Sequence, residues 1–237
     1  MIRKIKYLFA LTSKKRFLRY LKNRGVKMGK NVYFKNVKTI DIDLTRPWLI
    51  EIGDNVFFNK NFTLLTHDAV SRLYKEKYND FLPLHSTGKV TIGNNVSFAR
   101  QVTVLKGVTI GDNVFVGHGS LVSKDIPSNC IAVGRPATPV CSLDQYYEKA
   151  RTRYAEEMKA HYYHIKNTEN REPTIDDFKN EYSLFINGDK IDEFIESLDK
   201  KSGKWVRNNI GKSYEYYKNH HKAIFNGFDE MITSFKG

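Results

Sequence analysis

VTIGNNVSFARQVTVLKGVTIGDNVFVGHGSLVSKDIP, residues 90 to 127, repeats with a period of six. Ile92, Phe98, Val104, Ile110, Val116 and Val122 fall on one lattice; Val96, Val102, Val108, Val114 and Ser120 fall on a second, offset by four. An amphipathic helix would space its apolar residues near 3.6 and a half-buried strand at 2, so an apolar pair every six residues indicates a short strand, a corner and another strand. The residues after the first lattice, Gly93, Ala99, Leu105, Gly111, Gly117 and Ser123, are mostly small. Asn94-Asn95 and Asp112-Asn113 stand where corners need residues that tolerate left-handed backbone angles. Three hexads make one triangular coil, which places Ile92 under Ile110, Phe98 under Val116 and Val104 under Val122. At about 1.5 to 3 kcal/mol for each fully buried apolar side chain, the inward lattice supplies the core of a parallel β solenoid.

Working outward, the pattern weakens towards the N-terminus. Met28, Phe34 and Ile40 fit one run, and Ile52, Phe58 and Leu64 fit another, with Val56 and Phe62 on its second lattice. Between them Asp41 to Trp48 is irregular, which predicts an outward loop near Arg46-Pro47. Residues 69–88 lose the repeat, and His67 stands at their entrance. So long an interruption between regular coils is uncommon unless it is functional. After Pro127, residues 130–139 form a rigid exit without hexads. Ser142 reads as a helix N-cap, followed by predicted helices from Leu143 to about Ile165, Thr174 to Phe185, Ile191 to Leu198, and Tyr214 to Phe235. The expected organisation is a basic amphipathic helical segment at 1–25, a β-helix domain at 26–141 carrying the loop 69–88, and an α-helical region at 142–237.

The 237 residues are 41% hydrophobic with a mean hydropathy of -0.52, and carry a net charge of +13. Such a basic surface attracts anions, but no nucleic-acid module accompanies it, so no nucleic-acid partner is expected. Cys130 and Cys141 make no disulfide framework and have no metal-ligand spacing. A cytoplasmic location is expected, since the apolar run Tyr7 to Leu11 is too short for a signal peptide. Residues 1–27 hold ten Lys or Arg and no acidic residue, with Ile2, Ile5, Leu8, Phe9, Phe17, Leu18 and Leu21 at roughly helical spacing. That stretch reads as one or two helices. They either cap the open end of the solenoid or contact the inner face of an anionic membrane.

The chained motifs Thr91 to Val96, Gly107 to Asn113, Gly117 to Pro127 and Gly134-Arg135-Pro136-Ala137 resemble those of the acyl-CoA-dependent O-acetyltransferases of the galactoside and maltose acetyltransferase type. They also resemble the relatives that acetylate capsule and lipopolysaccharide sugars. The likeness covers about residues 50–141 and implies a left-handed parallel β-helix built from hexapeptide repeats. It implies a homotrimer whose shared groove binds acetyl-CoA as co-substrate, a sugar or polysaccharide acceptor, and no metal.

By position in the family motif, His67 in Leu64-Leu65-Thr66-His67-Asp68 is the general base. An imidazole suits the task, because a sugar hydroxyl is a poor nucleophile and needs its proton removed as it attacks a thioester. Asp68 would orient the ring or serve as a turn residue. Backbone N–H groups near Ala99 and Arg100 would face the thioester oxygen. Gly117, His118, Ser123 and Lys124 would line the pantetheine and phosphate path, Arg135 would meet phosphate, and Asn59 and His85 would meet the acceptor. Ser97 replaces the family's usual tryptophan, Arg100 replaces a small residue, and Thr138 to Cys141 lack arginines found in some relatives. An amino-sugar N-acetyltransferase and a non-catalytic trimeric scaffold remain open. The γ-class carbonic anhydrases share the prism and match at Val116-Gly117-His118, but Ser123 stands where their next histidine ligand belongs.

Overall fold

The structure is a computed structural model that describes residues 2–79 and 86–236. The chain divides into two compact units, Met1–Glu148 and Lys149–Gly237.

In the first unit the hexads become short strands separated by corners. The first coil contains β1 (Lys27–Met28), β2 (Tyr33–Phe34) and β3 (Ile40–Ile42), and the second β4 (Ile50–Ile52), β5 (Phe57–Phe58) and β6 (Phe62–Leu64). The third coil contains β7 (Val90–Ile92), β8 (Ser97–Phe98) and β9 (Thr103–Val104), and the fourth β10 (Thr109–Ile110), β11 (Val114–Val116) and β12 (Leu121–Val122). Equivalent strands stack in parallel into three sheets, β1-β4-β7-β10, β2-β5-β8-β11 and β3-β6-β9-β12. A hairpin of β13 (Cys130–Gly134) and β14 (Ala137–Ser142) extends the second sheet, with β14 antiparallel to β13.

The register is the expected one: Ile92 pairs with Ile110, Phe98 with Val116 and Val104 with Val122. Every residue of both lattices is at most 2% exposed. Phe34, Phe58 and Phe98 stack along the axis, with ring centroids 4.7 and 5.2 Å apart. Ser120, the one polar lattice residue, is buried and accepts from the Gly134 N–H at 3.2 Å, so the hairpin satisfies a hydroxyl that would otherwise be costly to bury.

Corners between the first and second sheets are held by an asparagine ladder. Asn31, Asn55, Asn95, Asn113 and Asn129 all have φ near +55 to +60°, and each side-chain amide donates to the next at 2.8 to 3.0 Å. The preceding glycines sit against the coil above. A Cβ on Gly53 would lie 2.6 Å from the Gly93 carbonyl oxygen. Gly53→Ala should therefore destabilise the prism by about 1 to 3 kcal/mol, read as a lowered midpoint in thermal melting.

Two basic helices precede the prism, α1 (Ile2–Ala10) and α2 (Lys14–Arg24). Ser13 caps α2 by accepting from the Arg16 N–H, and Gly25 ends it with φ +105°. Phe17 and Leu21 of α2 are buried in the prism core, Phe17 edge-on to Phe34 at 5.2 Å. The prism end is thus covered by α2.

The second unit has its own core, built from Tyr162, Phe178, Phe185, Ile191, Met231 and neighbouring apolar residues. Its elements are the long α4 (Leu143–Glu169), which starts in the first unit, then α5 (Ile191–Ser197), α6 (Lys200–Ile210), α7 (Tyr214–His220) and α8 (Phe228–Lys236); α3 (Ser71–Tyr78) lies earlier, in the loop that interrupts the coils. Ser142 caps α4 as expected: its hydroxyl accepts from the Gln145 N–H while the Gln145 side chain accepts from the Ser142 N–H, both at 3.0 Å.

Two expectations are corrected here, and one helix is added. Thr174 to Phe185 forms two 3-10 turns, Ile175–Phe178 and Tyr182–Leu184, instead of one helix. Phe178, Tyr182, Leu184 and Phe185 are all buried, and one α-helical face cannot hold Leu184 with the other three. The predicted helix from Tyr214 to Phe235 breaks between α7 and α8, where Gly227 adopts φ +113°. Helix α6 was not expected; it starts at Asp199, whose carboxylate accepts from the N–H groups of Lys201 and Ser202.

Candidate functional site

His67 leaves the prism at the corner between the third and first sheets, just past β6. The base of the loop it enters is closed by antiparallel pairing. The Gly88 N–H donates to the Thr66 carbonyl at 3.0 Å, the Asp68 N–H donates to the Ser86 carbonyl at 3.2 Å, and His67 bridges to Thr87. A rigid coil end and this clamp together hold the imidazole at the surface of the prism, with its side chain 26% exposed.

Beside it lies Asp43, from the coil below. The ladder of β3 on β6 continues one residue past the strand, the Asp43 N–H donating to the Leu64 carbonyl at 2.9 Å. That contact turns the carboxylate, 5% exposed, towards His67. One carboxylate oxygen contacts His67 Nδ1 at 2.5 Å and accepts from the Thr66 N–H at 3.0 Å and the Thr66 hydroxyl at 2.5 Å. The other accepts from the Thr45 N–H at 3.0 Å and the Thr45 hydroxyl at 2.7 Å. Burial opposes ionisation of this carboxyl, but the bonds from Thr66, Thr45 and His67 outweigh it and hold the group well below the usual carboxylate range. An ionised carboxylate only accepts, so its partner Nδ1 carries a proton, and Nε2 is the ring nitrogen left to exchange one.

From sequence Asp68 was either the ring's partner or a turn residue; the carboxylate in contact with Nδ1 is that of Asp43. Asp68 pairs with Lys106 of the next coil, which holds its carboxyl below its ordinary range. The Lys106 ammonium also donates to the Ser86 carbonyl at 3.2 Å, so Lys106 ties together the entrance and exit of the loop. Asp43 and Lys106 were both missed. The stacking register could have found them, since Ile42 pairs with Leu64 and Leu64 with Val104. Those offsets put Asp43 below and Lys106 above residues 65–66.

The other sequence-derived residues divide between two corners. Asn59, Ala99, Arg100, Gly117, His118 and Arg135 lie at the corner between the second and third sheets. There the Gly119 N–H donates to the Arg100 carbonyl at 2.9 Å, and Arg135 Nε donates to the Gly119 carbonyl at 2.7 Å. Lys60, Arg100 and His118 are exposed on successive coils, with the exposed Arg135 in the hairpin turn above them, which makes a basic ridge suited to an anionic ligand. One expectation changes at this corner. The Ala99 N–H already donates to the Val116 carbonyl at 2.9 Å, so it is not available to a thioester oxygen. Asn59 uses its side-chain oxygen to accept from the Lys60 N–H at 2.9 Å, at a different corner from His67.

Ser123 and Lys124 are exposed on the fourth coil, at the same corner as His67. The width of the third sheet separates the two corners, so one chain does not bring the ridge and His67 together. His85 lies outside the described residues.

The pattern of the bacterial transferase hexapeptide family (six repeats) matches residues 89–124. The chain is similar to galactoside O-acetyltransferase of Escherichia coli K12, 37% identical over 128 residues that make up 52% of this chain and 58% of that protein. It is also similar to protein CapG of Staphylococcus aureus, 35% identical over 145 residues, 57% of this chain and 82% of that protein. A solved galactoside acetyltransferase in complex with coenzyme A aligns with 59% of this chain and 78% of its own length, at 30% identity and a TM-score of 0.43. On the repeat, its stacking register and the breadth of the match to CapG, the chain belongs to the bacterial hexapeptide-repeat transferase family, whose left-handed parallel β-helix it adopts.

Proposed function

We propose that this protein is an acetyl-CoA-dependent O-acetyltransferase acting on a sugar hydroxyl, with His67 as general base and Asp43 as its positioning partner. The observation that carries the proposal is the His67–Asp43 pair at the junction of coil and loop. His67 Nε2 takes the proton of the acceptor hydroxyl as its oxygen attacks the acetyl carbonyl, and returns it to the departing coenzyme A sulfur. The ionised Asp43 keeps Nδ1 protonated and stabilises the imidazolium between those two transfers.

The exposed basic ridge of Arg100, His118 and Arg135 supports binding of the phosphates of acetyl-CoA. Its separation from His67 within one chain supports a homotrimer, in which the ridge of one subunit faces His67 of the next. The acceptor is a cell-surface polysaccharide or its precursor, acetylated in the cytoplasm. This rests on the resemblance to enzymes that modify capsule and lipopolysaccharide sugars. The test is thiol release from acetyl-CoA with a panel of sugars, alongside the solution mass. Release that depends on a hydroxyl acceptor supports the reading, and absence of release with every acyl donor overturns it.

Asp43→Asn separates positioning from mere packing. Donors surround both carboxylate oxygens, so either orientation of the amide turns an NH2 towards an N–H or hydroxyl. We expect kcat to fall about a hundredfold with KM for the sugar nearly unchanged, and partial recovery in Asp43→Glu. The variant should also melt with a weaker acid dependence. The folded-state pKa of Asp43 lies below the unfolded value of about 3.9, so its stabilisation is complete above that pH and fades as the pH falls.

A further inference from the structure

The two N-terminal helices divide their labour. Helix α2 closes the prism with Phe17 and Leu21, and Ala10 at the end of α1 is buried with them. Tyr7 and Leu11 pack against the same core. That accounts for one side of α1 only. Ile5, Leu8 and Phe9, within about 100° of arc on a helical projection, are 59%, 55% and 59% exposed. Capping needs none of them, and three large apolar side chains on one arc of a nine-residue helix are costly to leave in water.

The surroundings are cationic. Arg16 lies 4.4 Å from the Phe9 ring centroid, in contact with the apolar arc. Lys15, Arg19 and Lys22 recur at helical spacing along α2 and, with Lys30, line a depression of about 540 Å³ at the prism end. No acidic residue occurs among the first 27. A packing surface for another protein chain needs no such one-sided charge. An apolar arc on α1, met by Arg16 of a helix that carries no acidic residue, matches the acyl boundary and phosphate headgroups of an anionic bilayer.

We infer that the outer face of α1, with the basic stripe of α2, is a peripheral docking surface for anionic lipid membranes. Ile5, Leu8 and Phe9 enter the interface while Lys15, Arg19 and Lys22 meet the headgroup phosphates. The attachment is peripheral, since no helix among the described residues is long and apolar enough to cross a membrane. The inference is independent of the acetyl-transfer reading, because lipid binding is measured with neither donor nor acceptor present.

The test is co-sedimentation of the full chain with vesicles of phosphatidylglycerol and phosphatidylcholine, and with phosphatidylcholine alone. Binding is expected to the first only and to weaken with added sodium chloride. Leu8→Ser/Phe9→Ser should reduce it about tenfold, and Lys15→Glu/Arg19→Glu by at least as much. All these positions are exposed, so melting should stay near wild type, and circular dichroism checks this. Four results would overturn the inference: no binding to anionic vesicles, equal binding to neutral ones, wild-type binding by both variants, or a lower oligomeric mass in Leu8→Ser/Phe9→Ser with vesicle binding unchanged. The last would assign the face to a second copy of this chain.

Discussion

His67→Ala should lower kcat for acetyl transfer by about 10² to 10⁴, while the protein melts within about 1 kcal/mol of wild type. The kinetic loss follows from the role proposed for Nε2: without it the attacking hydroxyl must give its proton to water, and the leaving sulfur must take one from water. The small structural cost follows from the site. The ring is partly exposed, and when it is gone the Asp43 carboxylate still accepts from the N–H and hydroxyl groups of Thr45 and Thr66. A buried charge is therefore not stranded, which is the usual reason that removing one member of an ion pair unfolds a protein. The measurement is thiol release under saturating acetyl-CoA, with circular dichroism melting of the same samples. Turnover within a few-fold of wild type would remove His67 from the mechanism, whatever its position.

Val108→Asp is the counterpart for the fold, and it should abolish soluble, folded protein. Val108 is 1% exposed and belongs to the inward lattice, one residue before β10, whose buried Ile110 pairs with Ile92 below and bridges to Ile126 above. An unpaired carboxylate there costs about 3 to 5 kcal/mol or more, against a total stability of about 5 to 15 kcal/mol for a typical domain. The coils share one core, so the damage is not confined to the mutated corner: each coil is the platform on which the next one stacks. The readouts are soluble yield and melting, and near-wild-type behaviour would show that the side chain does not face inward.

Much of the prism was legible because its period leaves little freedom. Once Ile92, Phe98 and Val104 are taken as three sides of one coil, Ile110, Val116 and Val122 have nowhere to go except above them. The asparagines at the corners then explain themselves as left-handed positions. The helical region was less legible. Its elements are short, and the buried set Phe178, Tyr182, Leu184 and Phe185 satisfies no single period, so it read as one helix where the chain makes two 3-10 turns. Trp205 and Val206 in α6 lacked a long apolar run to announce them. The cap at Asp199 was the better signal.

The catalytic candidate was half legible. His67 could be picked out because the family it resembles places its base where the repeat stops, and an interruption in so regular a pattern is visible in one dimension. Asp43 could not, because it lies in the irregular stretch after Ile40 and reaches His67 only through stacking of one coil on another. Asp68, its neighbour in sequence, was the natural choice for a partner, yet the fold directs that side chain to Lys106.

The hexad period, then, settled the parallel prism, its inward lattice and the place where the chain leaves it, because a six-residue repeat has one way to bury its apolar pair. Which carboxylate meets the imidazole, and which of two basic helices caps the prism and which keeps an apolar face in solvent, were decided by contacts between coils and between helices. Side chains 24 residues apart, as Asp43 and His67 are, become neighbours only when the coils stack, and helical spacing alone does not say which face of a helix finds a core.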